Sequence, residues 1–217
     1  MYLPEIAIRL PAWVKPFLDG QPQIFPSRED RMRLTIGLSN LNVLHASGGP
    51  FGAAVFDKAG RLVAPGMNLV VSSGCSLFHA ETVALAFAQK VLGRYDLGAG
   101  GTLQYELYAS TEPCAMCFGA IPWSGVSALF CGARSEDARA VGFDEGDKLG
   151  DWTASLEKRG IKVELDLLRL EAVAALQDYA SSGGELYNPR NPTPRMPPTP
   201  PHRPPPGGKE EGDEPTK

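Results

Sequence analysis

Short apolar strands alternate with helical segments along most of this 217-residue chain, and few architectures accommodate that order. Two strands, at 51–57 and 61–71, flank a turn at 58–60 and are predicted to form a hairpin. The predicted helices cover 28–47, 79–92, 135–140 and 168–181, with another beginning near Cys114, and the remaining predicted strands cover 104–110, 127–133 and 161–166. An opening hairpin followed by strand–helix units predicts an α/β fold, in which helices cover both faces of a mixed sheet.

The composition of the C-terminal segment sets one boundary of this fold. Residues 189–217 contain eleven prolines and no Ile, Leu, Val, Phe, Trp or Tyr. Such a segment cannot bury enough apolar surface to offset the entropy of ordering it. We therefore predict a folded domain over 28–188, an N-terminal extension over 1–27, and a disordered, proline-rich tail over 189–217.

Charge and cysteine content argue against several functional classes. The formal net charge of -4 and the sequence pI near 5.4 do not favour a general nucleic-acid-binding protein, which needs a clustered basic surface. No apolar run approaches the roughly 20 residues of a membrane span, and the first residues show no secretory signal. Four cysteines, two of them in one Cys-x-x-Cys pair, are typical of a reducing compartment rather than of a disulfide scaffold. These features predict a cytoplasmic protein with no membrane partner.

Three side chains form a candidate zinc site, namely His79, Cys114 and Cys117. Cysteines three positions apart lie on one side of the first turn of a helix, so one metal ion can bind both thiolates. Pro113 fits the opening position of that helix, where unpaired amide groups favour thiolate over thiol. Three protein ligands leave a fourth position open for water, which is typical of a catalytic zinc rather than a structural one.

Glu81 is the candidate general base for this site. Side chains two positions apart inside a helix point in nearly opposite directions, so His79 and Glu81 can both face a metal only if it lies beyond the helix N-terminus. Taken alone, the Cys-x-x-Cys pair is also compatible with a redox-active pair or with a noncatalytic, zinc-stabilised binding module. The noncatalytic alternative needs a fourth protein ligand, for which Cys75 and Cys131 are the spare thiols, although both are expected to be small buried or loop residues.

The combined motifs resemble those of a known enzyme family. His79-Ala80-Glu81 together with Pro113–Cys117 resembles the H-x-E and P-C-x-x-C signature of zinc-dependent base deaminases. Gly49–Ala53 and Asn68 are similar to the purine-acting branch, which includes bacterial guanine deaminases and tRNA adenosine deaminases. Gly142–Gly146 resembles the guanine deaminases, in the subgroup that uses a second glutamate beside the first.

The late helix and Leu186–Asn188 also resemble guanine deaminases. This resemblance implies a cytidine deaminase-like three-layer sandwich with a mixed five-stranded sheet, and a homodimer whose C-terminal segments are exchanged by domain swapping. It implies hydrolysis of guanine to xanthine and ammonia, a reaction of purine metabolism, and some relatives also accept aminotriazines such as ammeline. A tRNA adenosine deaminase and, less favoured, a cytosine or cytidine deaminase are the alternatives; the acidic net charge counts against a nucleic-acid partner.

The resemblance also implies a role for each matching residue. Glu81 would accept a proton from the attacking water and pass it to a ring nitrogen, and Glu145 would help to protonate the leaving amine. The other implied roles are zinc binding by His79, Cys114 and Cys117, hydrogen bonding to the base by Asn68, stacking by Phe51, a backbone contact by Ala80 and an aromatic wall at Trp123. Without the resemblance, both aromatic residues would be interpreted as core residues and Glu145 as part of a solvated loop.

Overall fold

A mixed five-stranded sheet forms the centre of the part of the chain that the structure describes. The computed structural model describes residue 3 and residues 5–188, and the predicted proline-rich tail at 189–217 lies outside the described residues. The strand order is β2-β1-β3-β4-β5, with bounds β1 Gly52–Asp57, β2 Leu62–Met67, β3 Tyr105–Thr111, β4 Ala128–Ala133 and β5 Lys162–Glu164. β1 is antiparallel to β2 and β3, whereas β3, β4 and β5 run parallel. The prediction of a mixed sheet in an α/β fold is confirmed.

Helices cover both faces of this sheet. The α-helices within residues 5–188 are α1 Val14–Asp19, α2 Arg28–Leu44, α3 Val70–Ser73, α4 Ala80–Leu92, α5 Ala115–Ser124, α6 Ser135–Ala140, α7 Trp152–Glu157 and α8 Arg169–Ser181. Alternate residues of a strand point to opposite faces. In β1, Ala54 and Phe56 belong to the apolar core shared with α2 and α8, whereas Ala53 and Val55 belong to the core shared with α4, α5 and α7. The sheet and its two helical layers form the predicted three-layer sandwich.

Local sequence explains where two of these helices begin and end. α2 begins after Ser27, whose Oγ accepts a hydrogen bond from the amide of Asp30 at 3.0 Å and so caps the helix. α4 ends at Gly93, which has a φ of +65° in the left-handed region that glycine adopts without strain. Both ends match the predicted ones within the usual variation of helix boundaries.

Gly66 in β2 allows the sheet to approach α4 closely. A Cβ at this position would lie 2.2 Å from the carbonyl oxygen of Ala80 and 2.6 Å from the amide nitrogen of Ala84. No side chain fits in that space, so a larger residue would displace the helix. Because His79 directly precedes α4, this contact also fixes the position of one predicted metal ligand.

The strand predicted at 61–71 is too long. β2 ends at Met67, and Val70–Ser73 form the short helix α3. The chain turns because the side-chain Oδ1 of Asn68 accepts a hydrogen bond from the amide of Val70 at 3.2 Å. The valines at 70 and 71 favour a strand locally, but this turn outweighs their preference.

Other predicted bounds also differ from the structure. The helix predicted at 28–47 ends at Leu44, and the strand predicted at 161–166 is limited to Lys162–Glu164. The sequence did not predict α1 and α7, which are only six residues long and give weak periodic signals. Among the described residues, no helix combines the length and apolar character that crossing a bilayer requires.

Part of the predicted N-terminal extension packs onto the domain. Val14 and Phe25 are buried in the core shared with α2 and α8. The amide of Phe25 also donates a hydrogen bond to the carbonyl oxygen of Gly60 at 2.8 Å, in the turn of the hairpin. These residues therefore contribute to the same apolar core as the predicted domain.

Candidate active site

The three predicted zinc ligands lie together at the N-termini of two helices. His79 directly precedes α4, Cys114 directly precedes α5, and Cys117 lies in the first turn of α5. The Nδ1 atom of His79 is 3.4 Å from the Sγ of Cys114 and 3.6 Å from the Sγ of Cys117. All three donor atoms lie within 4.8 Å of one another. The sheet thus brings together ligands that are separated by 35 positions in the chain.

The distances within this cluster fit a tetrahedral zinc ion. Zinc lies about 2.05 Å from a nitrogen ligand and about 2.3 Å from a sulfur ligand, so a nitrogen and a sulfur on one ion are about 3.6 Å apart. The two observed nitrogen–sulfur distances, 3.4 and 3.6 Å, agree with this value. Imidazole and thiolate are also ligands that zinc prefers. His79, Cys114 and Cys117 are therefore suited to bind a zinc ion.

The two thiols differ in their readiness to lose a proton. Hydrogen bonds with Cys117 and His79 lower the pKa of Cys114 to about 4, against the opposing effect of burial. The hydrogen bond with Cys114, together with burial, raises the pKa of Cys117 well above its ordinary value. Because the thiolate is the form that binds a metal, the neighbours of Cys114 prepare it as a ligand.

A cavity of about 430 Å³ opens onto this cluster. The predicted site residues that line it are Phe51, Asn68, His79, Glu81, Cys114 and Glu145. Cys117 is fully buried behind the cavity wall. The structure therefore gathers the predicted acid, base and substrate-contact residues at the metal cluster, while their individual roles stay predictions.

Glu81 lies in the first turn of α4, with only 8% of its surface exposed. Both Glu81 and His79 line the cavity, as expected if the metal lies beyond the helix N-terminus. Burial raises the pKa of Glu81 to about 7, and the nearby charge of Cys114 adds to this effect. A carboxyl group with a pKa near neutral pH can both accept a proton and return it.

Asn68 is held in place by hydrogen bonds to its backbone. Its carbonyl oxygen accepts a hydrogen bond from the side-chain Nδ2 of Asn42 at 2.8 Å, and its amide donates to the carbonyl oxygen of Phe51 at 3.0 Å. The same Nδ2 of Asn42 donates to the carbonyl oxygen of Gly49 at 2.9 Å. Asn42 thereby fixes the two chain segments that carry Asn68 and Phe51 relative to each other.

Glu145 also lines the cavity, from the segment between α6 and α7. It is buried, and among the described residues its Oε2 atom has no hydrogen-bond partner. Burial raises the pKa of Glu145 to about 8, and the charges of Cys114 and Glu81 contribute. Because Glu145 lines the cavity, this unpaired carboxyl oxygen is a candidate contact for a ligand.

Tyr187 is a cavity residue to which the sequence analysis assigned no individual role. Its hydroxyl oxygen is buried and has no hydrogen-bond partner among the described residues. Its ring packs against Phe143, with ring centroids 5.4 Å apart. A Cβ on Gly49 would lie 2.7 Å from the Tyr187 hydroxyl, so glycine is needed for this close approach. In the sequence, Gly49 indicates that another group packs closely against the backbone at this position, but it does not identify that group as Tyr187.

Asn188 holds the C-terminal end of the described chain against the site. Its Nδ2 donates a hydrogen bond to the carbonyl oxygen of Gly142 at 2.7 Å, and its Oδ1 accepts one from the amide of Asp144 at 2.9 Å. Together with Tyr187, it lines the cavity. In the described chain, this segment packs on the site of its own polypeptide.

Two predicted substrate-contact residues are not among the residues that line the cavity. Trp123 lies near the end of α5 with 80% of its surface exposed, so it forms no aromatic wall within this chain. Pro122 is inside α5, which continues to Ser124 despite it. Ala80 is buried where α4 packs against β2, and its side chain does not reach the cavity.

Neither spare cysteine joins the metal cluster. Cys131 is buried in β4 and packs in the core on the α4 side of the sheet, and Cys75 is half-buried between α3 and α4. Within the described residues, the group of side chains placed to hold a metal has three members. This arrangement favours an open, catalytic zinc site over a closed, structural one.

Comparisons with known proteins agree with this geometry. The family model of the cytidine and deoxycytidylate deaminase zinc-binding region matches residues 26–133. The guanine deaminase of Bacillus subtilis (strain 168) is 40% identical over 119 residues, which are 55% of this chain and 72% of that protein. A structure of the guanine deaminase from Nitrosomonas europaea is 44% identical, with a TM-score of 0.77, and the match covers 82% of this chain and 97% of that one. A mutant structure in complex with 8-azaguanine is also 44% identical, with a TM-score of 0.77 and coverage of 82% and 98%.

Curated tRNA-specific adenosine deaminases match this chain at lower identity than the Bacillus subtilis guanine deaminase does. They are between 31% and 37% identical over 39% to 60% of its length. The zinc-binding region that the family model matches, residues 26–133, includes His79, Cys114 and Cys117. This chain is similar to bacterial guanine deaminases over most of their length. It therefore belongs to the zinc-dependent family of the cytidine and deoxycytidylate deaminases.

Proposed function

We propose that this enzyme hydrolyses guanine to xanthine and ammonia. One observation carries the proposal: the zinc ligands His79 and Cys114, together with Glu81 and Glu145, line a single cavity of about 430 Å³. That volume is suited to a small, flat molecule rather than to a polymer. The similarity to guanine deaminases supports guanine as the substrate.

Two carboxyl groups divide the proton transfers of this reaction. When bound, zinc acts as a Lewis acid that makes water a better nucleophile. Glu81 accepts a proton from the attacking water as its oxygen bonds to the carbon that carries the exocyclic amine, and then delivers that proton to the adjacent ring nitrogen. Glu145 donates a proton to the amine nitrogen as the carbon–nitrogen bond breaks, and it recovers a proton from the new hydroxyl group. The net change is guanine plus water to xanthine plus ammonia.

Three other side chains recognise the base in this proposal. We assign to Asn68 and the Tyr187 hydroxyl the hydrogen bonds to the edge of the base, because both line the cavity and are buried. Phe51, which packs edge-on against Phe143 at 4.8 Å between centroids, supplies an apolar face for stacking. Tyr187 and Asn188 also line the cavity, and the walls that they add favour a free base over a nucleotide held in an RNA chain.

A substrate panel tests this function. Purified, zinc-loaded protein should convert guanine to xanthine, followed by absorbance, with one ammonia released per xanthine. Ammeline tests whether the same cavity accepts an aminotriazine. Activity on the adenosine of a tRNA anticodon stem-loop without activity on guanine would overturn the proposal and favour RNA editing instead.

The proposed enzyme is a homodimer that acts in purine metabolism in the cytoplasm. The ten residues of α5 include no charged side chain, and Trp123 on this helix is 80% exposed. Such a surface is typical of a contact with a second copy of the chain. A domain-swapped dimer would supply the segment around Tyr187 and Asn188 from the partner, through the same kinds of contacts that it makes within this chain.

A further inference from the structure

We infer that Lys148 is a positioning residue for the reaction, which fixes the Glu145 segment to the turn that carries Cys114. The inference rests on the proposed function, because it gives Lys148 a part in proton delivery by Glu145. Lys148 does not line the cavity, so it acts through another residue.

The segment that carries Glu145 has no regular secondary structure of its own. Residues 141–151, between α6 and α7, contain no helix or strand, so no ladder of backbone hydrogen bonds holds Glu145 in place. The segment is tied at one point by the amide of Ala115, which donates to the carbonyl oxygen of Glu145 at 2.9 Å. It is tied at a second point by the Nζ of Lys148, which donates to the carbonyl oxygen of Pro113 at 2.8 Å.

These two hydrogen bonds are placed on either side of a zinc ligand. Pro113 and Ala115 are the residues before and after Cys114, so the segment is fixed to the backbone on both sides of that ligand. Lys148 is three residues after Glu145, a length of chain that spans at most about 11 Å. Asn188 and Arg139 also contact this segment, through Asp144 and the carbonyl oxygen of Gly146. The contacts of Ala115 and Lys148 are those that tie it to the backbone beside the metal cluster.

The surroundings of Lys148 show that its ammonium group has a defined position. Its side chain is 6% exposed, and Nζ also donates to the Oγ of Ser135 at 2.5 Å. It lies 3.4 Å from the buried carboxylate of Glu112 and 4.7 Å from the centre of the Trp152 ring. A buried cation is costly unless charged and polar partners surround it, and these partners lie in α6, in α7 and directly after β3.

The orientation of Glu145 depends on its backbone more than on its side chain. Its Oε2 atom has no hydrogen-bond partner among the described residues, so no protein contact at that atom restores its position if the segment moves. A displacement of a catalytic group by about 1 Å can reduce the rate on the order of 10²-fold. Loss of the Lys148 contact should therefore lower kcat through Glu145.

The test compares Lys148→Met with the matched control Lys158→Met, a change at an exposed lysine in the same part of the chain. Methionine keeps much of the length and apolar stem of Lys148 but removes its ammonium group. We expect Lys148→Met to keep one zinc per chain, to change the KM for guanine by less than about threefold, and to lower kcat by about 10- to 100-fold. Lys148→Arg, which keeps a cation and donors, should recover most of that loss, and the control should match the wild type.

A double-variant comparison distinguishes positioning from general destabilisation. In a Glu145→Gln background, Lys148→Met should lower kcat further by less than about twofold, because the residue through which it acts is already disabled. An equal loss of kcat in both backgrounds would overturn the inference, as would full activity of Lys148→Met. If Lys148→Met does not fold, the Glu112→Gln/Lys148→Met double variant, which leaves no unpaired buried charge, takes its place in the same comparison.

Hydrogen exchange provides a readout that does not depend on the substrate. Lys148→Met should speed amide exchange in peptides covering 142–150 and at Ala115, with no change in α2. Unchanged exchange in the 142–150 peptides would contradict the inference even if guanine proved not to be the substrate. Absence of guanine turnover in the wild type, with faster exchange in the variant, would instead reject the proposed function alone.

Discussion

Individual side chains at the cavity carry the chemical part of this account, and Glu81 is the first to test. Glu81→Gln keeps the shape of the side chain but removes its capacity to exchange a proton. We expect the zinc content to stay at one per chain and kcat to fall by about two or more orders of magnitude. Steady-state kinetics with guanine and metal analysis of the same preparations provide the measurement.

The matched control for this change is Glu171→Gln, at an exposed position in the first turn of α8. It should retain the activity of the wild type. Full activity of Glu81→Gln would remove Glu81 from the mechanism. Loss of zinc in that variant would instead show that the carboxylate supports metal binding.

Tyr187 tests the recognition of the base at the same scale. Tyr187→Phe removes only the buried hydroxyl, which has no partner among the described residues. Because a hydrogen bond to substrate contributes about 0.5 to 1.5 kcal/mol, we expect the KM for guanine to rise by about two- to tenfold while the melting temperature stays the same. Tyr95→Phe, at a side chain that is 84% exposed, is the control. An unchanged KM in Tyr187→Phe would show that the hydroxyl does not contact the substrate.

At the scale of elements, the packing of α4 against β2 places the metal ligand and the general base. Gly66→Ala introduces a Cβ into space occupied by the backbone of Ala80 and Ala84. We expect the free energy of unfolding to fall by about 1 to 3 kcal/mol and the zinc content to decrease, because the start of α4 must move. Denaturant unfolding with metal analysis measures both effects.

Gly150→Ala provides the comparison for this packing prediction, since a Cβ at Gly150 would meet nothing within 4 Å. Its free energy of unfolding should stay within about 0.5 kcal/mol of the wild type. If Gly66→Ala had the same free energy of unfolding and the same zinc content per chain as Gly150→Ala, the close approach of β2 to α4 would not position the metal site.

The same elements show which parts of the structure can be predicted from sequence. The end of α4 carries a local signal, Gly93, and the metal motif has a spacing specific enough to be recognised. The prediction that Pro113 opens α5 is wrong, because the helix begins at Ala115 and Cys114 is its N-cap. The position of Tyr187 depends on how the chain returns to the site after α8, and local sequence does not specify such a long-range contact. Val70 shows the opposite case, in which a strong local preference for a strand is overridden by a turn at Asn68.

At the scale of the whole molecule, Trp123 tests the proposed homodimer. Trp123→Asp places a charge on the uncharged surface of α5, and burying that charge in an interface is costly. We expect this variant to be monomeric and the wild type dimeric in sedimentation velocity experiments. Leu170→Asp, at an 86% exposed residue of α8, should remain dimeric. A Trp123→Asp variant that stays dimeric would place the interface elsewhere.

The central claim is that His79, Cys114 and Cys117 bind one zinc ion and leave a coordination position for water. X-ray absorption at the zinc edge of the purified protein tests this most directly. We predict one zinc per chain with two sulfur ligands at about 2.3 Å, one imidazole nitrogen at about 2.0 to 2.1 Å and one further light atom. A third sulfur ligand, or a protein that binds no zinc, would contradict the account.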